Sequence, residues 1–155
     1  MDAEKVANLV ANGSDPAILD KAKRFAGNFV WGDPKKQTNT CAATLSFLLD
    51  QSGIDVGVED AVVDLAANLK STRGWARIND LTALQIGDVG VFAYDAQGFD
   101  EGIHHIYLVI DIPDPASPLV ADNQGAGSHQ RPVNGGAMVG IKTTASPTNY
   151  FLRAT

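Results

Sequence analysis

The hydropathy period changes midway along this chain, and the change limits the architectures open to it. Up to about residue 70 apolar residues recur at intervals of three and four; beyond it they come in short runs rich in Val, Ile, Phe and Tyr, separated by Gly, Pro, Asp and Asn. Helices first and strands second predict an α+β fold, with N-terminal helices packed on a C-terminal antiparallel β-sheet. No internal repeat, low-complexity tract or linker interrupts the pattern, so residues 1–155 are expected to form a single domain.

Val6, Leu9 and Val10 mark a short opening helix, expected to break at Asn12-Gly13, where Ser14 or Asp15 can cap a second helix with Pro16 at its first position. That second helix is expected over 15–28, with Ile18, Leu19, Ala22, Phe25 and Ala26 as its core stripe. Residues 30–39 read as turn and loop. A third helix opens at Cys41, buries Ala42, Leu45, Leu48 and Leu49, and stops at Gly53; a fourth is expected over 58–70. Strands are expected over 74–78, 88–94, 103–112, 118–123 and 137–142, with 149–154 adding an edge strand.

Charge narrows the partners. Eighteen Asp and Glu against twelve Lys and Arg leave a net charge of -6, and no dense basic patch is present, so nucleic acid is not an expected partner. No apolar run approaches the roughly 20 residues that a membrane span needs, and the acidic, amphipathic start does not read as a signal peptide. A single cysteine makes no internal disulfide. Cys41, a histidine and Asp122 have ligand chemistry, but no His-x-x-x-His or paired-Cys spacing accompanies them, so neither a metal nor another cofactor is expected.

Cys41 lies in the first turn of its helix, where unpaired N–H groups and the helix dipole favour thiolate over thiol. A lone cysteine is more often a small buried hydrophobe; a nucleophile needs a nearby imidazole, and that imidazole an orienting partner. His104 and His105 open the strand at 103–112, and strand alternation sends them to opposite faces. His129 sits in the glycine-rich segment 123–132. The strand at 118–123 ends in Asp122 and Asn123 and is followed by Gln124, any of which could orient a ring. Asp88 reads as a backbone cap in a Gly-Asp turn. Trp31 and Trp75 are candidates for a groove wall or the core, Trp31 the better groove candidate because it lies in the loop that feeds Cys41.

A cysteine opening a helix, then GWARINDLTALQIGDVGVF, HHIYLVID and a strand ending ADNQG, resembles the NlpC/P60 and CHAP superfamily of papain-like cysteine peptidases and amidases over residues 31–125, with Ile86 standing where the turn usually has proline. The resemblance implies a papain-like core, with residues 1–30 as a helical N-terminal extension. It assigns Cys41 as nucleophile, His105 as base and Asn123 as the ring's partner; His104, on the other face, is expected to be structural or solvent-facing. Gln37 or Asn39 would supply a second oxyanion donor beside the Cys41 N–H, and Trp31 and Asp122 would contact substrate. It further implies a hydrolase acting on amide bonds of peptidoglycan, in the cell wall, periplasm or outside the cell, and, for a delivered toxin, a cognate inhibitor protein as partner. Two competing expectations keep the same fold: acyl transfer to an amine or alcohol, and a non-catalytic module that binds cell-wall peptide or protein.

Overall fold

The computed structural model describes residues 1–93 and 104–155. The ends of two expected strands, Tyr94 of the 88–94 run and Ile103 of the 103–112 run, lie outside the described residues. The fold is α+β. After a 3-10 turn (Asp2–Lys5) come α1 (Val6–Ser14), α2 (Pro16–Trp31), α3 (Cys41–Gln51) and α4 (Val62–Ala67), the last continued by a π-turn (Asn68–Thr72). Among the described residues eight strands follow: β1 (Ala76–Ile78), β2 (Val89–Phe92), β3 (His105–Asp111), β4 (Leu119–Ala121), β5 (His129–Gln130), β6 (Gly136–Met138), β7 (Ile141–Ala145) and β8 (Tyr150–Arg153). Among the described residues six of them form one sheet in the order β1-β8-β2-β3-β4-β5, every pair antiparallel, and β6 and β7 form a separate hairpin.

Both faces of the sheet are covered. Val89, Val91, Ile106, Leu108, Ile110, Ala121 and Leu152 face the helices and join Leu9, Leu19, Ala22, Leu45, Leu48 and Leu49 in the main core. Tyr107, Val109, Val120 and Phe151 face the other way and pack with Leu84 and Val133. Alternate residues of β3 thus serve two cores, which is why His105–Ile110 reads as an unbroken buried run.

Several expectations change against this architecture. α1 ends at Ser14, within the 12–16 stretch where a stop was expected, but Asn12-Gly13 stays helical; Gly13 is its contact with the sheet, where a Cβ would lie 2.8 Å from a Leu108 methyl. Asp15 then caps α2, accepting from the Ala17 and Ile18 N–H groups, with Pro16 at the first position. α2 extends to Trp31, three residues past its expected end, so Trp31 belongs to the helix terminus rather than to the loop; Gly32 closes it in the left-handed conformation. Its stripe turns by one position, leaving Phe25 exposed against Phe29 and Phe47 and burying Lys23. α4 starts at Val62, four residues late. The 137–142 run is a hairpin that turns at Val139 and Gly140, and 149–154 is an interior strand, β8, paired on both sides.

Trp75 is core, its indole N–H donating to Asp2 at 2.9 Å. Asp88 caps its turn as expected, accepting from the Gln85 N–H at 2.7 Å, and is also clamped by both arms of Arg153.

One glycine governs the underside of the site. A Cβ on Gly90 would overlap the Tyr107 ring, so only glycine lets that ring lie across β2. Gly90→Ala is expected to cost at least about 3 kcal/mol, the upper range for overpacking a filled core, read as a lower denaturant midpoint at unchanged slope.

Candidate active site

Cys41 is the first residue of α3, and the segment before it is built to hold that helix start open. Thr40 occupies the N-cap without a side-chain bond to the helix N–H groups; its hydroxyl instead donates back to the Gln37 carbonyl at 2.8 Å. Asn39 takes a left-handed φ of 56°, a conformation that asparagine tolerates better than most residues, and turns the chain into the helix. The first-turn N–H groups of α3 are thus left without a side-chain cap beside the thiol.

Cys41 and His105 line the same cleft, and the thiol acts on the ring strongly enough to favour its protonated form. Asp122 meets Nε2 of the same ring at 2.8 Å, which leaves Nδ1 as the nitrogen available to Cys41. Asp122 in turn accepts the Gln124 N–H at 2.8 Å. Cys41, His105 and Asp122 are all buried, yet Cys41 lines two clefts that meet at Asn39 and His104. One runs toward Asp60–Asp64 at the start of α4; the other runs past His105, Asn123, Gln124 and Arg131 to Thr143, Thr144 and Ser146.

The ring's partner is Asp122, where the sequence reading had Asn123, and strand geometry gives the reason. Leu108 pairs with Ala121 and Val109 with Val120. One step further, Asp122 falls opposite Tyr107 and shares its face of the sheet with His105, while Asn123 falls on the opposite face. Asn123 instead donates to the Gln37 carbonyl at 2.7 Å and ties down the segment that leads to Cys41. Asn123→Ala is expected to loosen that segment: loss of one net hydrogen bond of about 1 kcal/mol should raise proteolytic cutting within 32–40 roughly fivefold, read by timed proteolysis and mass analysis.

Of the other expected site residues, Asn39 lies at the cleft beside Cys41. The side chain of Gln37 is exposed, and neither Gln37 nor Trp31 lines either cleft. Trp31 braces the same loop from outside, its indole N–H donating to the Thr38 carbonyl at 2.7 Å and its ring carrying the Lys36 ammonium at 3.8 Å. His104, expected to be structural or solvent-facing, lines both clefts.

Electrostatics favour an ion pair. Burial alone would lower the His105 pKa; Asp122 and Cys41 together outweigh it and raise the imidazole from its ordinary 6.5 to about 9. Burial would push the Asp122 carboxyl up, but the His105 bond and the charges of His105 and His129 hold it below its usual range. Three more basic groups surround Asp122: His129 Nε2 at 3.6 Å, Arg131 Nη1 at 4.0 Å, and buried Lys23, whose ammonium donates to the Gly125 carbonyl at 3.1 Å. Below them Tyr107 bonds Thr148 at 2.6 Å, lies 6.2 Å from the His105 ring and carries the Arg131 guanidinium at 5.3 Å.

Arg131 and Lys23 had no place in the sequence reading. Lys23 gave a signal, since it lies four residues after Leu19 and three before Ala26, on the stripe of α2. Arg131 gave none: a single arginine after a glycine-rich loop does not announce its burial.

A thiol, an imidazole and a carboxylate set in series beside uncapped helix N–H groups can pass the thiol proton to the ring, direct the resulting thiolate at a carbonyl carbon and stabilise the oxyanion that forms. Comparison of the chain with protein-family models, with curated proteins and with solved structures gives no match.

Proposed function

We propose that the protein is a thiol hydrolase of papain-like architecture that cleaves amide bonds. Cys41 at the open start of α3, in one cleft with a His105 ring that Asp122 holds at 2.8 Å, carries the reading. Cys41 attacks the carbonyl carbon as thiolate, and the α3 N–H groups meet the developing oxyanion. His105 then gives its proton to the leaving nitrogen as the C–N bond breaks. Water, losing a proton to His105, attacks the acyl-thioester, and the acid product leaves with Cys41 restored. Asp122 holds the ring and stabilises its cationic form.

Resemblance to NlpC/P60 and CHAP domains favours peptide amides of peptidoglycan as the substrate. The test is digestion of purified peptidoglycan by the wild type and Cys41→Ala, with mass analysis of the fragments. New amine and carboxyl ends released by the wild type alone support the reading; intact material from both counts against the substrate, and equal release from both against the nucleophile.

A further inference from the structure

The cleft that runs from Cys41 past Arg131 to β7 has a property that the hydrolysis chemistry does not use. Arg131 is 1% exposed and still lines it. Its five N–H donors meet three acceptors: Gln124 Oε1 at 2.8 Å, Met138 Sδ at 3.8 Å and the Ser146 carbonyl at 3.5 Å. Two of those bonds are long or weak, and Nε is buried without a partner. Such a guanidinium is costly to bury unless a charged acceptor arrives. The nearest carboxylate, Asp122, is 4.0 Å away and already bonded to His105 and Gln124. The rest of the wall, Asn39, Asn123, Gln124, Thr143, Thr144 and Ser146, is polar and carries no acid.

Charge points the same way. Two buried cations, Lys23 and Arg131, stand around one carboxylate, Asp122, so an anionic ligand would complete the balance.

We propose that this cleft is a carboxylate subsite, with Arg131 as its anchor, so that the amide presented to Cys41 lies beside a negatively charged group of the substrate. Tyr107 beneath the guanidinium and Gln124 beside it fix the fork in place, the preorganisation that bidentate carboxylate recognition needs. The inference rests on Cys41 being a reactive thiol.

Alkylation of Cys41 tests it without a known substrate. Iodoacetate and iodoacetamide are near-isosteric and differ by one negative charge. In the wild type the iodoacetate-to-iodoacetamide rate ratio is expected to exceed that of free cysteine by at least about tenfold, the worth of one charge-assisted bond. Arg131→Met should lose most of that excess and Arg131→Lys only part of it, while His105, common to all three, cancels from the comparison. If Arg131→Met does not fold, protection of the wild type against iodoacetamide decides. N-acetylglutamine supplies an α-carboxylate, N-acetylglutamic acid α-amide a side-chain carboxylate, and N-acetylglutamine amide neither. The acid that protects better identifies which carboxylate is taken. A wild-type ratio equal to that of free cysteine, or equal protection by the neutral diamide, overturns the subsite alone. Cys41 inert to both reagents overturns the thiol reading and the subsite with it.

Discussion

Cys41→Ala is expected to bring amide hydrolysis down by at least about ten-thousandfold, to the level left by binding and oxyanion stabilisation alone, while the denaturant midpoint stays near that of the wild type. The two halves of the result have separate causes. Cys41 packs beside Ala42 and Leu45 at the margin of the main core, and removing one sulfur there costs little burial. The chemistry, in contrast, has no second nucleophile to fall back on, since the chain contains one cysteine. Steady-state rates on peptidoglycan fragments, measured with unfolding curves on the same preparation, check both. Residual turnover within a few-fold of wild type would end the nucleophile assignment. A collapse of stability would place Cys41 among the structural thiols instead.

How far the sequence reached depended on whether a feature was local. The start of α2 and the extent of α3 could be read locally, because Asp15, Pro16 and Gly53 act on their own neighbours, whereas the stripe of α2 and its end at Trp31 were not read correctly. The position of β8 was not local: its own residues look the same in the interior of a sheet as at an edge, and only its pairing with both β1 and β2 distinguishes the two. The hairpin of β6 and β7 was hidden because Val139, exposed at its turn, passes for a strand residue. In the site, the Cys41–His105 pair was legible from a helix start and a strand start. The third residue required the β3–β4 register, which a sequence does not state, and a one-residue change of face separates Asp122 from Asn123. Arg131 reaches the site only through β5 and the chain that follows it, and nothing in its neighbours marks it.

That same register sets the last expected result, for Asp122→Asn. Asparagine keeps the shape and can still accept the Nε2 proton, so the ring's position survives while the charge that stabilises imidazolium is lost. In the wild type His105 stays protonated up to about pH 9. Turnover that depends on the thiolate–imidazolium pair should therefore hold through neutral pH and fall as pH rises through that value. Without the Asp122 charge, burial acts on the ring with less opposition, and the alkaline limb should move down toward the ordinary imidazole value of about 6.5, which lowers turnover at pH 8 by up to about thirtyfold through protonation state. Stability carries the same sign. A histidine whose pKa is raised by folding stabilises fully below its unfolded value of about 6.5 and loses that contribution as pH climbs through about 9, so wild-type stability should decline across this window more steeply than that of Asp122→Asn. The variant also leaves Arg131, His129 and Lys23 around an uncharged amide, and removing one partner from a buried charged cluster costs about 3–5 kcal/mol. Asn123 cannot stand in for the lost carboxylate, because it lies on the other face and is bonded to the Gln37 carbonyl. Histidine ring signals titrated by NMR in the wild type, Asp122→Asn and Asn123→Ala separate the two neighbours: Asn123→Ala should leave the His105 midpoint where it is, and Asp122→Asn should lower it. The opposite ranking would return the orienting role to Asn123.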